Sequence, residues 1–421
     1  MKSEELKQRI LNDNSPALFS LYGDTERAKE RFIRAIEKFE NIYGSDREVM
    51  LFSTPGRSEI IGNHTDHNNG KVIAAAIDRD VIAVAAKNGL GKIRFTSEGY
   101  TENVVELDKI GSPESFEKYT SGALIAGVMR AFSDNGIPYG GFDAFACTEV
   151  LKGSGLSSSA AFEVMIGNIA SHLFGGSVEN EELAKFAQYA ENEYFGKPCG
   201  LMDQMACAVG GFVYIDFEDK NNPFIEKAEF SPTDAGYKLC IVNTGGNHAD
   251  LNEDYASVPN EMRAVAKILG KEVLRGVTLP EIIEKIPKIR SSVGDRAVLR
   301  AVHYVKENER VAHAREALGA RDTDAFFGAL ISSGRSSFEY LQNVYTTKNP
   351  TEQGLSLALM LTDAFGGAGS YRVHGGGFAG TVQAFVPNEL ADEYAGFMDA
   401  VFGAGAVMQL SVRHIGACRL A

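Results

Sequence analysis

A chain of 421 residues, 44% apolar and 23% charged, is large enough for two domains with cores of their own. Its 42 Lys and Arg against 56 Asp and Glu give a net charge of −14, which argues against non-specific binding to nucleic acid or an anionic membrane. Five widely spaced cysteines with no CxxC indicate neither a disulfide framework nor a zinc site. The N-terminus MKSEELKQRI has no apolar signal core and no run reaches bilayer length, so the expectation is a cytoplasmic enzyme.

Residues 1–46 read as a helical extension, with Ala28, Phe32, Ile33, Ile36 and Phe39 at helical spacing between charges. From 48 to 100 the short β-branched runs VMLFS, KVIAAAI, DVIAVAA and KIRFTS predict strands broken by turns. A helix over 120–134 and a strand in GFDAFACTEV follow, then helices over about 158–174 and 180–194. The strand FVYIDFE closes a first domain, and the acidic stretch Asp219 to Pro223 marks a boundary. This gives an extension at 1–46 and domains at 47–218 and 219–421. The second domain opens on the strand KLCIVNT, is helical from about 258 to 345, and ends with the strand TVQAFV, a helix near 389–402 and a last apolar segment. Mixed rather than alternating element order indicates an α+β fold, not a doubly wound sheet.

The densest chemical signal is GSGLSSSAAFEVMIG, Gly153 to Gly167. Gly153, Ser154, Gly155, Leu156, Ser157, Ser158, Ser159 and Ala160 form a candidate phosphate cradle. Glycines bend the loop, and the serines sit at a helix start, where N–H groups lack partners and the dipole is positive. No Gly-Lys-Ser/Thr follows, so it is not a Walker A loop. HGGGFAG, His374 to Gly380, matches GxGxxG, but the strand TVQAFV follows where the dinucleotide fingerprint requires a helix. It reads instead as a second glycine-rich wall. His172, His248, His303, His313 and His414 show no ligand spacing and read as structural or surface residues.

Together with the serine loop, three further segments resemble the galactokinase family of the GHMP kinases. STPGRSEIIGNHTDHNNG, Ser53 to Gly70, is similar to the signature GRVNLIGEHTDYNGG; GKPCGLMDQMACAVGG, Gly196 to Gly211, is similar to PCGIMDQ; YRVHGGGFAGTVQAFV, Tyr371 to Val386, completes the pattern. The resemblance runs from about Phe52 to the C-terminus. It implies a two-domain GHMP kinase fold, with an N-terminal ribosomal-protein-S5-like domain and a C-terminal ferredoxin-like domain. It also implies ATP- and Mg²⁺-dependent phosphorylation of galactose at C1. The partners would be a small sugar and ATP, with no nucleic acid or membrane, in a monomer or weak oligomer.

Carried onto this chain, the resemblance assigns Asp203 as the base that accepts the sugar hydroxyl proton and Arg57 as its charge partner. Ser159 and Glu191 would hold Mg²⁺, with Glu193 the rival carboxylate. His64, Asp66, Gly200 and Tyr255 would bind the sugar, Asp66 by accepting from adjacent hydroxyls. Tyr119, with Phe116, stands where the family carries a W-x-x-Y adenine pattern; the chain has no Trp. The signature also departs from its pattern: RVN becomes Arg57-Ser58-Glu59, and GEHTDY becomes Gly62-Asn63-His64-Thr65-Asp66-His67. Asn63 replaces the Glu that accepts from the C6 hydroxyl, and His67 in place of Tyr adds positive charge when protonated, so galacturonate, with a C6 carboxylate, is the alternative substrate. A silent sugar sensor on the same fold would show damage to Arg57, Asp203 or the serine loop; none is seen.

Overall fold

The computed structural model describes residues 1–421 apart from 13–20, 23–24, 151–154, 229 and 247–250. Packing divides the chain into two compact units, Met1–Arg57 with Ala76–Gly211 and Arg413–Ala421, and Ser58–Ala75 with Phe212–Val412. The chain therefore crosses between units four times, where the sequence reading places one boundary near 219. Two of the crossings fall inside long strands: β1 (Met50–Ile61) and β2 (Lys71–Lys87) each run through both units.

In the first unit β1, β2, β3 (Lys92–Ser97), β4 (Asn103–Glu106), β5 (Phe142–Thr148) and β12 (Cys418–Arg419) lie in the order β12-β1-β2-β5-β3-β4. β5 is antiparallel to β2 and parallel to β3. The described helices of the N-terminal extension pack into the first unit. Helices α1 (Ser3–Asn12) and α2 (Thr25–Tyr43) bury Leu6, Ile10, Phe32, Ile36 and Phe39 in one core with Leu51, Ile82, Val84 and Phe145 from the sheet.

The predicted strands KVIAAAI and DVIAVAA are one strand of 17 residues, because Asp80 is taken inside rather than turned out at a loop. Its carboxylate accepts from Arg31 Nη1 at 2.5 Å, Arg413 Nη1 at 3.2 Å and Tyr22 Oη at 2.6 Å, and from Ser53 Oγ. Burial opposes the charge, but the two arginines hold the carboxyl below the usual Asp range.

In the second unit β6 (Phe212–Asp216) pairs with Lys71–Ala75 of β2 and with β7 (Phe224–Ala228). A separate antiparallel sheet contains β8 (Tyr237–Asn243), β9 (Ser370–His374), β10 (Thr381–Pro387) and β11 (Val407–Leu410), in the order β11-β8-β10-β9. With helices after the first and third of these strands, this is the ferredoxin-like order. Those helices, α11 (Gly354–Phe365) and α12 (Ala391–Phe402), bury Leu355, Ala358, Tyr394 and Met398 against Val242, Val373 and Val382. A helical layer of α7 (Asn252–Ile268), α8 (Leu279–Val293) and α9 (Asp295–Ala320) has its own core around Met262, Ile282, Ile289 and Tyr304. α7 begins before the expected 258 and carries Pro259 inside it.

Asp80→Asn should lower unfolding stability by about 3–5 kcal/mol, because two buried arginines lose their carboxylate. Asp80's depressed folded pKa stabilises the fold above the usual Asp value and ceases to do so as pH falls below it. The wild-type advantage should therefore shrink in acid. Urea titration at several pH values reads both effects; a variant within about 0.5 kcal/mol of wild type at pH 7 contradicts the assignment.

Candidate active site

Asp203 lies in the first turn of α6 (Met202–Val209). Its Oδ1 accepts from Arg57 Nε at 2.6 Å and its Oδ2 from Arg57 Nη2 at 2.7 Å, the two-pronged contact that suits a planar guanidinium. Ser157 Oγ also donates to Oδ2, and Arg57 Nη1 donates to the Gly155 carbonyl. Burial works against ionisation here, but Arg57 and then Ser157 outweigh it and hold the carboxyl below the usual Asp range. Beside Arg57, a Cβ on Gly56 would stand 2.9 Å from the Leu156 carbonyl, so β1 approaches the serine loop this closely only with glycine.

α4 (Ser158–Phe174) starts at the serine run. Ser157 precedes it with φ 56° and ψ 63°, a left-handed backbone that costs energy at a non-glycine residue and concentrates at ligand sites. Its hydroxyl is turned to Asp203 and does not cap the helix. The loop thus presents Gly155, Leu156, Ser158 and Ala160 around a helix N-terminus, the arrangement that binds phosphate. Gly153 and Ser154, the first residues of the expected cradle, lie outside the described residues, as does His248. Tyr119, φ 64°, is 68% exposed beside Phe195 at 5.4 Å between ring centroids, which leaves a ring face to the solvent; Phe116 packs instead on Tyr194.

Ser159 Oγ lies 3.3 Å from Glu191 Oε1. α5 (Asn180–Tyr189) ends in a π-helical turn, Ala190–Phe195, which buries Glu191 and leaves Glu193 exposed. Gln204 Nε2 donates to Glu191 Oε2 at 2.7 Å and to Glu163 Oε2 at 3.3 Å, and Lys197 Nζ reaches Glu191 Oε1 at 3.2 Å. Glu163, one turn along α4 from Ser159, is fully buried; burial and then Glu191 push its carboxyl well above the usual range. A hydroxyl beside crowded carboxylates suits a hard divalent cation. Among the described residues no group of three His, Cys, Asp or Glu could hold one unaided, so phosphate and water oxygens would complete its shell.

The signature loop belongs to the second unit. His64, φ 59°, places Nε2 2.9 Å from the Gly376 carbonyl. Burial and then neighbouring His67 push the imidazole down to about 4, so the ring is neutral at pH 7 and donates from Nε2. Asp66 opens a 3-10 turn, partly exposed, its Oδ1 accepting from the His67 N–H at 2.9 Å. Tyr255, in the first turn of α7, donates to the Gly377 carbonyl at 3.1 Å. Glycines are obligatory opposite: a Cβ on Gly376 would stand 2.6 Å from the Tyr255 ring, and one on Gly377 2.1 Å from the Asn343 carbonyl. The loop expected to be a phosphate wall is thus, within its own unit, the backing of the signature loop. Gly200 belongs to the first unit, just ahead of α6, whereas His64, Asp66 and Tyr255 belong to the second.

Asn63, expected to meet the C6 group of the sugar, is 1% exposed and its amide is engaged by protein. Its Nδ2 donates to Glu59 Oε1 at 3.0 Å and to the Gly375 carbonyl at 2.6 Å, and its Oδ1 accepts from Asn343 Nδ2 at 2.7 Å. Sequence reasoning also missed the residues that hold this loop. His303 Nε2 lies 3.0 Å from the Asn63 carbonyl, the Glu307 carboxylate accepts from the Gly62 N–H at 3.1 Å, and Arg372 Nη1 donates to the Ile60 carbonyl at 2.9 Å. They are fully buried and distant in sequence; no spacing pattern marked them.

A helix end opened by serines, a hydroxyl beside a buried carboxylate and an aspartate held charged by an arginine suit phosphoryl transfer from a nucleotide, the chemistry of the GHMP kinases. The Galactokinase galactose-binding signature matches residues 37–87, and the GHMP kinases N terminal domain matches residues 121–211. Galactokinase of Streptomyces coelicolor is 30% identical over 381 residues, covering 88% of this chain and 93% of its own. Galactokinase of Thermotoga neapolitana is 33% identical over 334 residues, 79% of this chain and 88% of its own. Among solved structures, Lactococcus lactis galactokinase complexed with galactose shares the fold, with a TM-score of 0.77 at 24% identity over 91% of this chain and 98% of that one. The chain belongs to the galactokinase family.

Arg57→Lys keeps the charge but loses the two-pronged contact. It should lower kcat by about 10²-fold and leave KM for ATP within about threefold, since the lost contacts matter most in the transition state. Steady-state kinetics on the folded variant reads this; wild-type turnover contradicts the role.

Proposed function

We propose that this protein transfers the γ-phosphoryl group of ATP to the anomeric hydroxyl of galactose, giving galactose 1-phosphate and ADP. The observation that carries the reading is Asp203, gripped by Arg57 and Ser157 at the mouth of the serine loop. The C1 oxygen forms a bond to the γ-phosphorus as the bond from phosphorus to the ADP oxygen breaks, and the hydroxyl proton passes to the Asp203 carboxylate. Arg57 keeps that carboxylate charged until the proton arrives and stabilises the phosphoryl charge. The depressed affinity of Asp203 for protons makes it a weak base, which suits a late transfer, after the oxygen has begun to bond to phosphorus.

The loop from Gly155 to Ala160 receives the phosphates, and the exposed ring of Tyr119 stacks on adenine. Ser159 and Glu191 hold Mg²⁺, which supplies charge neutralisation on the transferring phosphates. His64 and Asp66 bind the sugar, neutral His64 as a rigid wall and Asp66 as acceptor from hydroxyls. Five free cysteines fit a reducing, cytoplasmic site of action. The case for galacturonate rested on Asn63 facing C6 and on His67 as an added positive charge; with the Asn63 amide engaged by protein and His67 3.6 Å from the Asp66 carboxylate, galactose is the substrate proposed.

With ATP and Mg²⁺, galactose should support ADP release and 1-deoxygalactose should not. Galacturonate should be at least tenfold poorer in kcat/KM. Equal release with 1-deoxygalactose overturns transfer to C1, and a preference for galacturonate overturns the choice of sugar.

A further inference from the structure

The two departures in the signature are not independent. The signature GRVNLIGEHTDY has a carboxamide at the position of residue 59 and a carboxylate at that of residue 63; this chain has Glu59 and Asn63. The two side chains meet at 3.0 Å. We propose that they are an exchanged pair that positions the sugar-binding loop, His64 to Asp66, against the glycine loop Gly375 to Gly377. The inference rests on the sugar reading of that loop.

Each end of the pair suits the residue it has. Glu59 Oε1 lies 3.4 Å from Arg372 Nη1 and accepts from Asn63. Arg372 is fully buried, its Nε and Nη2 have no hydrogen-bond partner among the described residues, and a carboxylate at 59 adds to Glu307 a second, contacting negative charge beside it. At 63 the demand is for a donor: the Gly375 carbonyl at 2.6 Å only accepts. Asn343 donates to Asn63 Oδ1 at 2.7 Å and to the Gly376 carbonyl at 3.1 Å, and its own carbonyl accepts from the Phe378 N–H at 2.5 Å. The carboxamide of residue 63 therefore ties the signature loop to the glycine loop that carries the partner of His64. A carboxylate there, with Glu59 retained, sets two negative groups together and turns acceptor against acceptor.

The consequence is reciprocity. Asn63→Glu alone and Glu59→Asn alone should each raise KM for galactose at least tenfold and leave KM for ATP within twofold. The double exchange should recover at least tenfold relative to the product of the single effects. A merely structural role would lower the thermal midpoint without separating the two KM values. Midpoints measured without substrate form a second cycle that needs no kinase activity. The wild-type galactose assay tests the sugar reading by itself, so failure of either can be told apart. If Asn63→Glu does not fold but the double exchange does, the coupling stands. If neither folds, Glu59→Gln decides: it keeps an acceptor for Asn63 but removes the charge facing Arg372, and KM for galactose should rise at least threefold. Additive effects in both cycles, single exchanges that leave KM for galactose within twofold, or an unchanged KM in Glu59→Gln overturn the proposal.

Discussion

The site is organised by one requirement, that Asp203 stay ionised where burial disfavours charge. Desolvation raises a carboxyl's pKa and favours the protonated acid, which cannot take a proton from a sugar. The two-pronged bond from Arg57 and the hydroxyl of Ser157 reverse that. Much of the local geometry follows. Gly56 must be glycine for β1 to reach the serine loop, and Ser157 is held in a left-handed conformation with its hydroxyl on Asp203, not over the helix end. The same strained residue links the phosphate cradle to the carboxylate.

The carboxylates of the first unit illustrate how environment separates chemically identical groups. Asp203 is held charged by a cation, whereas Glu163, fully buried beside Glu191 with only Gln204 as neutral donor, is pushed towards its acid form. Glu191 is bonded to Gln204 and to the exposed Lys197. A cation on Ser159 and Glu191 would take over the charge compensation that Lys197 supplies. In the second unit Glu307, buried among Arg310, His303 and Arg372, is driven down to about 2 despite burial and anchors the Gly62 N–H as a permanent anion.

Motif-bearing residues were legible from sequence because their chemistry is local. Ser157 to Ser159 open a helix as the pattern predicts, and the choice of Glu191 over Glu193 has a structural reason, the π-helical turn that buries one and exposes the other. Asn63 reads from sequence as a change of ligand contact because the substitution is seen singly. Only the structure pairs it with Glu59 and turns it inward. Arg372, His303, Glu307 and Asn343 support the loop from 240 or more residues away, and such contacts leave no periodicity to read. The fusion of two predicted strands at Asp80 escaped for a related reason, since the arginines that neutralise it come from α2 and from near the C-terminus.

The central claim is that the charge on Asp203, not its shape, drives phosphoryl transfer. Asp203→Asn preserves the shape and removes the charge. Single-turnover transfer from ATP to galactose, measured alongside ATP affinity, separates chemistry from binding. The account predicts a loss of roughly 10²–10⁴-fold in the transfer rate with ATP affinity within threefold of wild type. Transfer within threefold of wild type in a folded Asp203→Asn enzyme would contradict it.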